Sequence, residues 1–157
     1  MSTVTPAPRQ RFPDGISEGL SHGTLELRNI PATRTFFREF LGLRTLRHAV
    51  PAFKAWHDHA GFFIACIEIG ALPRQQTRDN RWEVAVANAA EVERAHRTAL
   101  RLKDEQGLLQ VDPLQEQDGF PWFCLQDMDG NWWGISNRDS AWMHAAFDAA
   151  FGKEVAA

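Results

Sequence analysis

The 157-residue sequence contains no tyrosine. No phenol is at hand as an acid, base or metal ligand, so any chemistry falls to His, carboxylates, Cys, Arg or a bound ion. Cysteine is nearly absent too. Cys66 and Cys124 are the only two, too few for a disulfide scaffold, and they read as reduced thiols of a cytoplasmic protein. No apolar run approaches the ~20 residues of a membrane span. The first fifteen residues hold no apolar stretch of the signal-peptide kind. A basic excess is lacking as well: 17 Lys and Arg against 20 Asp and Glu leave a net charge of −3. That balance argues against a nucleic-acid partner.

What the chain does have is core-forming material, 44% apolar residues with six Trp and eleven Phe, enough for one ordinary globular unit. Residues 1–17, with three prolines and little apolar pattern, read as a flexible arm. Leu20 to Leu27 then alternates as a half-buried strand does, with Leu25 and Leu27 on one face and His22, Thr24 and Glu26 on the other. Asn29 and Pro31 mark a helix start. Phe36, Phe37, Phe40 and Leu41 follow at helical spacing, and Gly42 stops the helix. Leu43 to Val50 and Phe62 to Ile69 read as strands, with a turn and a polar stretch between them.

After a polar connector, 71–80, the pattern restarts. A shift of 59 residues puts Leu25 on Val84, Leu27 on Val86, Asn29 on Asn88 and Leu43 on Leu102, which implies an internal repeat. Strands are expected at Leu108 to Asp112, Pro121 to Gln126 and Trp132 to Ser136, the last two joined by the turn Asp127-Met-Asp-Gly-Asn131. The chain thus divides into a first βαβββ module (18–70), a second (81–137) and a C-terminal helix and tail (138–157). The class is α+β, two curved sheets meeting around a shared cup. Trp142, Ala146, Phe147, Ala150 and Phe151 form an apolar stripe on the last helix, suited to packing on the domain or on a second chain.

The segments LSHGTLELRN, FFREFLGL, NRWEVAV and DMDGNWWGISN resemble the vicinal oxygen chelate superfamily, which includes glyoxalase I, extradiol ring-cleaving dioxygenases, fosfomycin-resistance enzymes and bleomycin-binding proteins. The resemblance covers about residues 18–137. It implies a homodimer, a small-molecule ligand or substrate in the cup and, where the protein is an enzyme, a lyase or oxidoreductase. The family's first-strand metal-binding His matches His22, and the carboxylate closing the first module matches Glu68. The second-module His falls at Arg81 and the closing Glu at Gly134. Arg81 cannot deprotonate to bind a cation and Gly134 offers no side chain, whereas an iron or zinc site needs three or four protein ligands.

Two readings follow. In the first, no metal is used. Arg81, paired with Glu68 in a desolvated cup, replaces the ion and holds an anionic or aromatic molecule, with His22 as a catalytic acid or base. Thr24, Cys66, Glu83, Trp132, Gly134 and Ser136 share that cup, Trp132 offering its indole for stacking. In the second, a divalent ion (Fe, Mn, Zn or Ni) is held by His22 and Glu68, with His57 and His59 of the His57-Asp-His59 stretch, Glu83 or water completing the shell, in a lyase or ring-cleaving dioxygenase. An Arg81–Glu68 ion pair that merely fills a retired site is the structural alternative.

Overall fold

The structure, a computed structural model, describes residues 22–47, 51–57, 62–70 and 76–155. The expected arm at 1–17, His59 and half of the 71–80 connector lie outside the described residues. The first module runs β1 (His22–Leu27), α1 (Ile30–Glu39), β2 (Arg44–Arg47), β3 (Ala52–Trp56) and β4 (Phe63–Glu68). The second runs β5 (Trp82–Ala85), α2 (Ala89–Leu102), β6 (Gln110–Val111), β7 (Gln115–Gln117), β8 (Phe120–Gln126) and β9 (Trp132–Ser136), and α3 (Ser140–Val155) follows. Among the described residues no helix is long and apolar enough to cross a membrane.

The repeat begins at matched caps. Asn29 accepts a hydrogen bond from the Ala32 N–H at 2.9 Å, and Asn88 accepts one from the Glu91 N–H at 3.0 Å. Each satisfies an orphan donor of the helix it opens. The correspondence ends inside the helices: α1 has 10 residues and α2 has 14, so Leu43 lies beyond α1 while Leu102 closes α2. Two strands go beyond the sequence reading. The stretch taken as turn and polar linker contains β3. The strand expected at Leu108 to Asp112 is shortened to β6, and β7 is a further strand beyond it; the two pair with successive parts of β8 on either side of Pro113, which has no N–H to give a ladder.

The sheets have equivalent orders, β1-β4-β3-β2 and β5-β9-β8-β6, each with one parallel pair at its first strand. Partnered residues share a face, so the β1–β4 register decides where β4 points. Leu25 is opposite Cys66 and Leu27 opposite Glu68. Cys66 and Ile64 therefore lie on the helix side, buried in the core, which corrects the expectation that Cys66 lines the cup. His22, Thr24 and Glu26 share the other face with Phe63, Ala65 and Ile67. In the second sheet Trp133 and Ile135 are core, and Trp132, Gly134 and Ser136 point away, as the alternation implies.

One core joins the modules. The Phe37 ring meets Phe53 of its own sheet at 5.6 Å and Trp133 of the other at 5.2 Å, both edge-on. The β8–β9 turn then clasps the β1–α1 junction. Asp127 accepts from the N–H groups of Asp129 and Asn131 and, through its other oxygen, from the Trp133 indole N–H at 2.8 Å. Gly130 takes the left-handed conformation (φ 88°) that closes the turn. Asp129 accepts from the Arg28 N–H at 2.8 Å and the Thr33 hydroxyl at 2.6 Å, while the Asn131 amide donates to the Glu26 carbonyl at 3.1 Å.

Burial, with the Asp129 charge adding to it, pushes the Asp127 carboxyl up to about 6 against the donors that favour its ionised form. The folded chain thus binds this proton more tightly than the unfolded chain. The stability it contributes is present below pH 4 and is lost as the pH rises through 6. Asp127→Asn is expected to lose more stability relative to wild type at pH 4.5 than at pH 7.5 in urea unfolding. Equal losses at the two values would contradict this placement of the carboxyl.

Candidate functional site

The open face of the second sheet concentrates the polar groups. Glu83 on β5, Gly134 on β9 and Cys124 on β8 form one row across the strands, and Ala85, Ser136 and Trp122 form the next. Arg81 enters just before β5. Its Nε donates to Glu83 Oε1 at 2.6 Å, and its guanidinium lies 5.4 Å from the centre of the Trp122 ring. Arg78, from the end of the connector, lies 5.7 Å from the same ring and pairs with the buried Asp112 at 2.8 Å. Two guanidinium groups thus share one indole, an arrangement in which ring and cations attract and both forks are kept near the sheet.

The absence of a side chain at Gly134 has a specific use. A Cβ there would collide with the carboxylate of Glu83. The carboxylate of β5 therefore occupies space above β9 that any larger residue at this position would claim. Trp132 and Ser136, on either side, are buried. Cys124 is buried beside Arg78. Burial raises its thiol pKa more than the Arg78 hydrogen bond and the nearby arginine charges lower it, which leaves an unreactive thiol.

Several sequence expectations change. Arg81 pairs with Glu83, not Glu68. Glu68 lies on the helix face of the first sheet and accepts from the Ile30 N–H at 2.9 Å. It thereby satisfies a donor at the positive end of α1. His22 and Glu68 stand on opposite faces of the β1–β4 pair and five positions apart along it, roughly 16 Å at strand rise, so they cannot share an ion. Cys66 is packed in the core, where burial drives its pKa far up. His22 is exposed and stacks on Phe63 at 5.0 Å, with exposed Thr24 on the same face. His57 follows β3 and is exposed. Among the described residues no group of three or more His, Cys, Asp or Glu is placed to hold a metal ion.

Arg78 and Trp122 were not singled out from the sequence. The parity of β8 carried the signal for Trp122: Phe123 and Leu125 are core, so Trp122 and Cys124 must look the other way. Arg78 had no local signal, because a loop residue has no periodicity.

No protein-family sequence model matches the chain, and no match was found among curated proteins. Solved structures do match. The fosfomycin resistance protein FosX from Listeria monocytogenes aligns with a TM-score of 0.62 at 17% identity, over 77% of this chain and 93% of that one. FosX from Mesorhizobium loti gives 0.60 at 16%, over 80% and 97%. An integron cassette protein from the mobile metagenome of Halifax Harbour sewage outfall gives 0.58 at 16%, over 76% and 98%. The Listeria protein is also known with manganese(II) and sulfate. These neighbours are members of the vicinal oxygen chelate superfamily, and this chain has their fold, as its four segments led us to expect.

Gly134→Ala must move the Glu83 carboxylate, which is half exposed and at the end of a flexible side chain. The cost is expected to stay below about 1 kcal/mol. In a double-mutant cycle, Glu83→Ala should absorb it, so that the double variant is no less stable than Glu83→Ala alone. A double variant clearly less stable than that would contradict the contact.

Proposed function

We propose that this chain, a protein of the vicinal oxygen chelate fold, binds a small anionic organic molecule on the open face of its second sheet, a guanidinium standing in for a divalent metal. The observation that carries the reading is the placement of Arg81 beside Glu83 and over Trp122, with the Glu83 carboxylate lying on Gly134.

The donor set does not fit a metal ion. At the two second-module positions where the resemblance implies His and Glu, one residue is a permanent cation and the other has no side chain, and the space above it is filled. A fixed positive charge beside an ion opposes its binding. Glu68, the remaining carboxylate of the expected set, serves α1 instead.

The residues present support a different event. Glu83 holds the Arg81 fork in the free protein. A ligand carboxylate or phosphonate displaces it, gaining paired charge-assisted hydrogen bonds from Arg81, while Glu83 swings to solvent. Arg78 adds a second cation, and the half-buried Trp122 supplies a ring face for an aromatic body. Such bonds to charged groups are worth about 1.5–3 kcal/mol each.

We also infer a homodimer. The His22 face of the first sheet carries the exposed side chains of Leu46, Trp56 and Ile67, and α3 exposes Met143 and Phe147, apolar surface that a second copy covers. Sedimentation equilibrium should return twice the 17.8 kDa chain mass; a monomer at micromolar concentration contradicts the pairing.

Phenylphosphonate is a suitable probe of the ligand face. By calorimetry, Arg81→Gln should weaken its binding about tenfold or more, and Glu83→Gln should tighten it by removing the competing carboxylate. Binding unchanged in Arg81→Gln would overturn the reading.

A further inference from the structure

A cavity of about 440 Å³ runs along the free edge of β5, between the inner faces of the two sheets. It meets the arginine face only at Glu83 and Ala85; neither Arg81, Trp132 nor Gly134 lines it. Its walls are mostly apolar and largely aromatic, formed by Trp82, Trp133, Phe62, Val84, Ile64 and Ala55, with the imidazole of His57 among them. The Trp82 ring is near-parallel to Phe62 at 5.8 Å and to Trp133 at 6.4 Å. The volume lies in the range of small-molecule pockets.

The strand edge supplies the polar part. Among the described residues β5 has a neighbouring strand, β9, on one side only. The Val86 N–H donates to the Ser136 carbonyl at 2.8 Å, and the register pairs Val84 with Ile135. In a parallel ladder residues alternate in the side toward which their N–H and C=O point. Val84 and Val86 therefore bond to β9, and Glu83 and Ala85 turn theirs to the free edge, where both residues line the cavity. No described residue bonds those main-chain groups. The carboxylates at the rim are engaged elsewhere, Glu83 with Arg81 and Asp139 with the Trp142 N–H at 2.9 Å. As negative charges they disfavour an anion here.

We propose that this cavity is a second binding site, for a neutral planar aromatic molecule carrying a donor and an acceptor side by side, as a lactam or carboxamide does. The Phe62 ring, backed by Trp82, packs on the plane of the ligand. The N–H and C=O groups at the β5 edge pair with its acceptor and donor as a neighbouring strand would. The proposal does not depend on the anion reading: it uses the free edge of β5 and a neutral ligand.

The test is calorimetric titration of the full chain with 6(5H)-phenanthridinone, a neutral tricyclic lactam. Saturable one-to-one binding is expected. The N-methylated analogue, which lacks the donor, should bind about tenfold more weakly or less. Val84→Phe, which fills the cavity from a half-buried position, should weaken binding by a similar factor. Absence of saturable binding, or equal affinity for the N-methyl analogue, would overturn the proposal. The comparison of the two lactams uses the wild-type chain, so it stands whether or not Val84→Phe folds.

Discussion

The structure depends on a turn of five residues. Asp127, Asp129 and Asn131 gather the loose donors of two modules, from Arg28 and Thr33 at the start of α1 and from the Trp133 indole. The same turn gives one donor back to the edge of β1, through the Asn131 amide. The contacts join residues about a hundred positions apart in sequence. Two half-sized modules, each with a thin core, become one body at this junction. Leaving any of these buried groups unpaired costs about 1–3 kcal/mol, a large share of a domain's net stability.

That junction also sets the face that carries Arg81 and Glu83. Trp133 is held by Asp127 at its N–H and by the α1 phenylalanines at its ring. With Trp133 anchored inward, strand alternation sends Trp132, Gly134 and Ser136 outward, beside Glu83 and Cys124. The position of Gly134 next to Glu83 is thus a consequence of register. The absence of a side chain there lets a carboxylate from the next strand lie across β9 and meet Arg81.

The features legible in the sequence were those with a local cause. Asn29 and Asn88 cap helices because an acceptor must stand beside free N–H groups, and both can be read within four residues. The two faces of β9 were legible because Trp132, Gly134 and Ser136 alternate with core residues. β4 was not: Phe-Ile-Ala-Cys-Ile-Glu is apolar on both faces, so its orientation comes only from the pairing with β1. The facing of Cys66 and Glu68 was misread for that reason, and with it the partner of Arg81. Arg78 and Trp122 meet through tertiary folding of a connector onto a sheet, which no periodicity announces.

The central claim is that a guanidinium occupies the role of a divalent ion in this fold. The most direct measurement is the metal content of the full-length chain, purified without chelator and then dialysed against manganese(II), zinc(II) and iron(II) in turn. The account predicts far less than one equivalent of any of them, with Arg81 as the resident cation. One tightly held equivalent per chain, lost on His22→Ala, would contradict it.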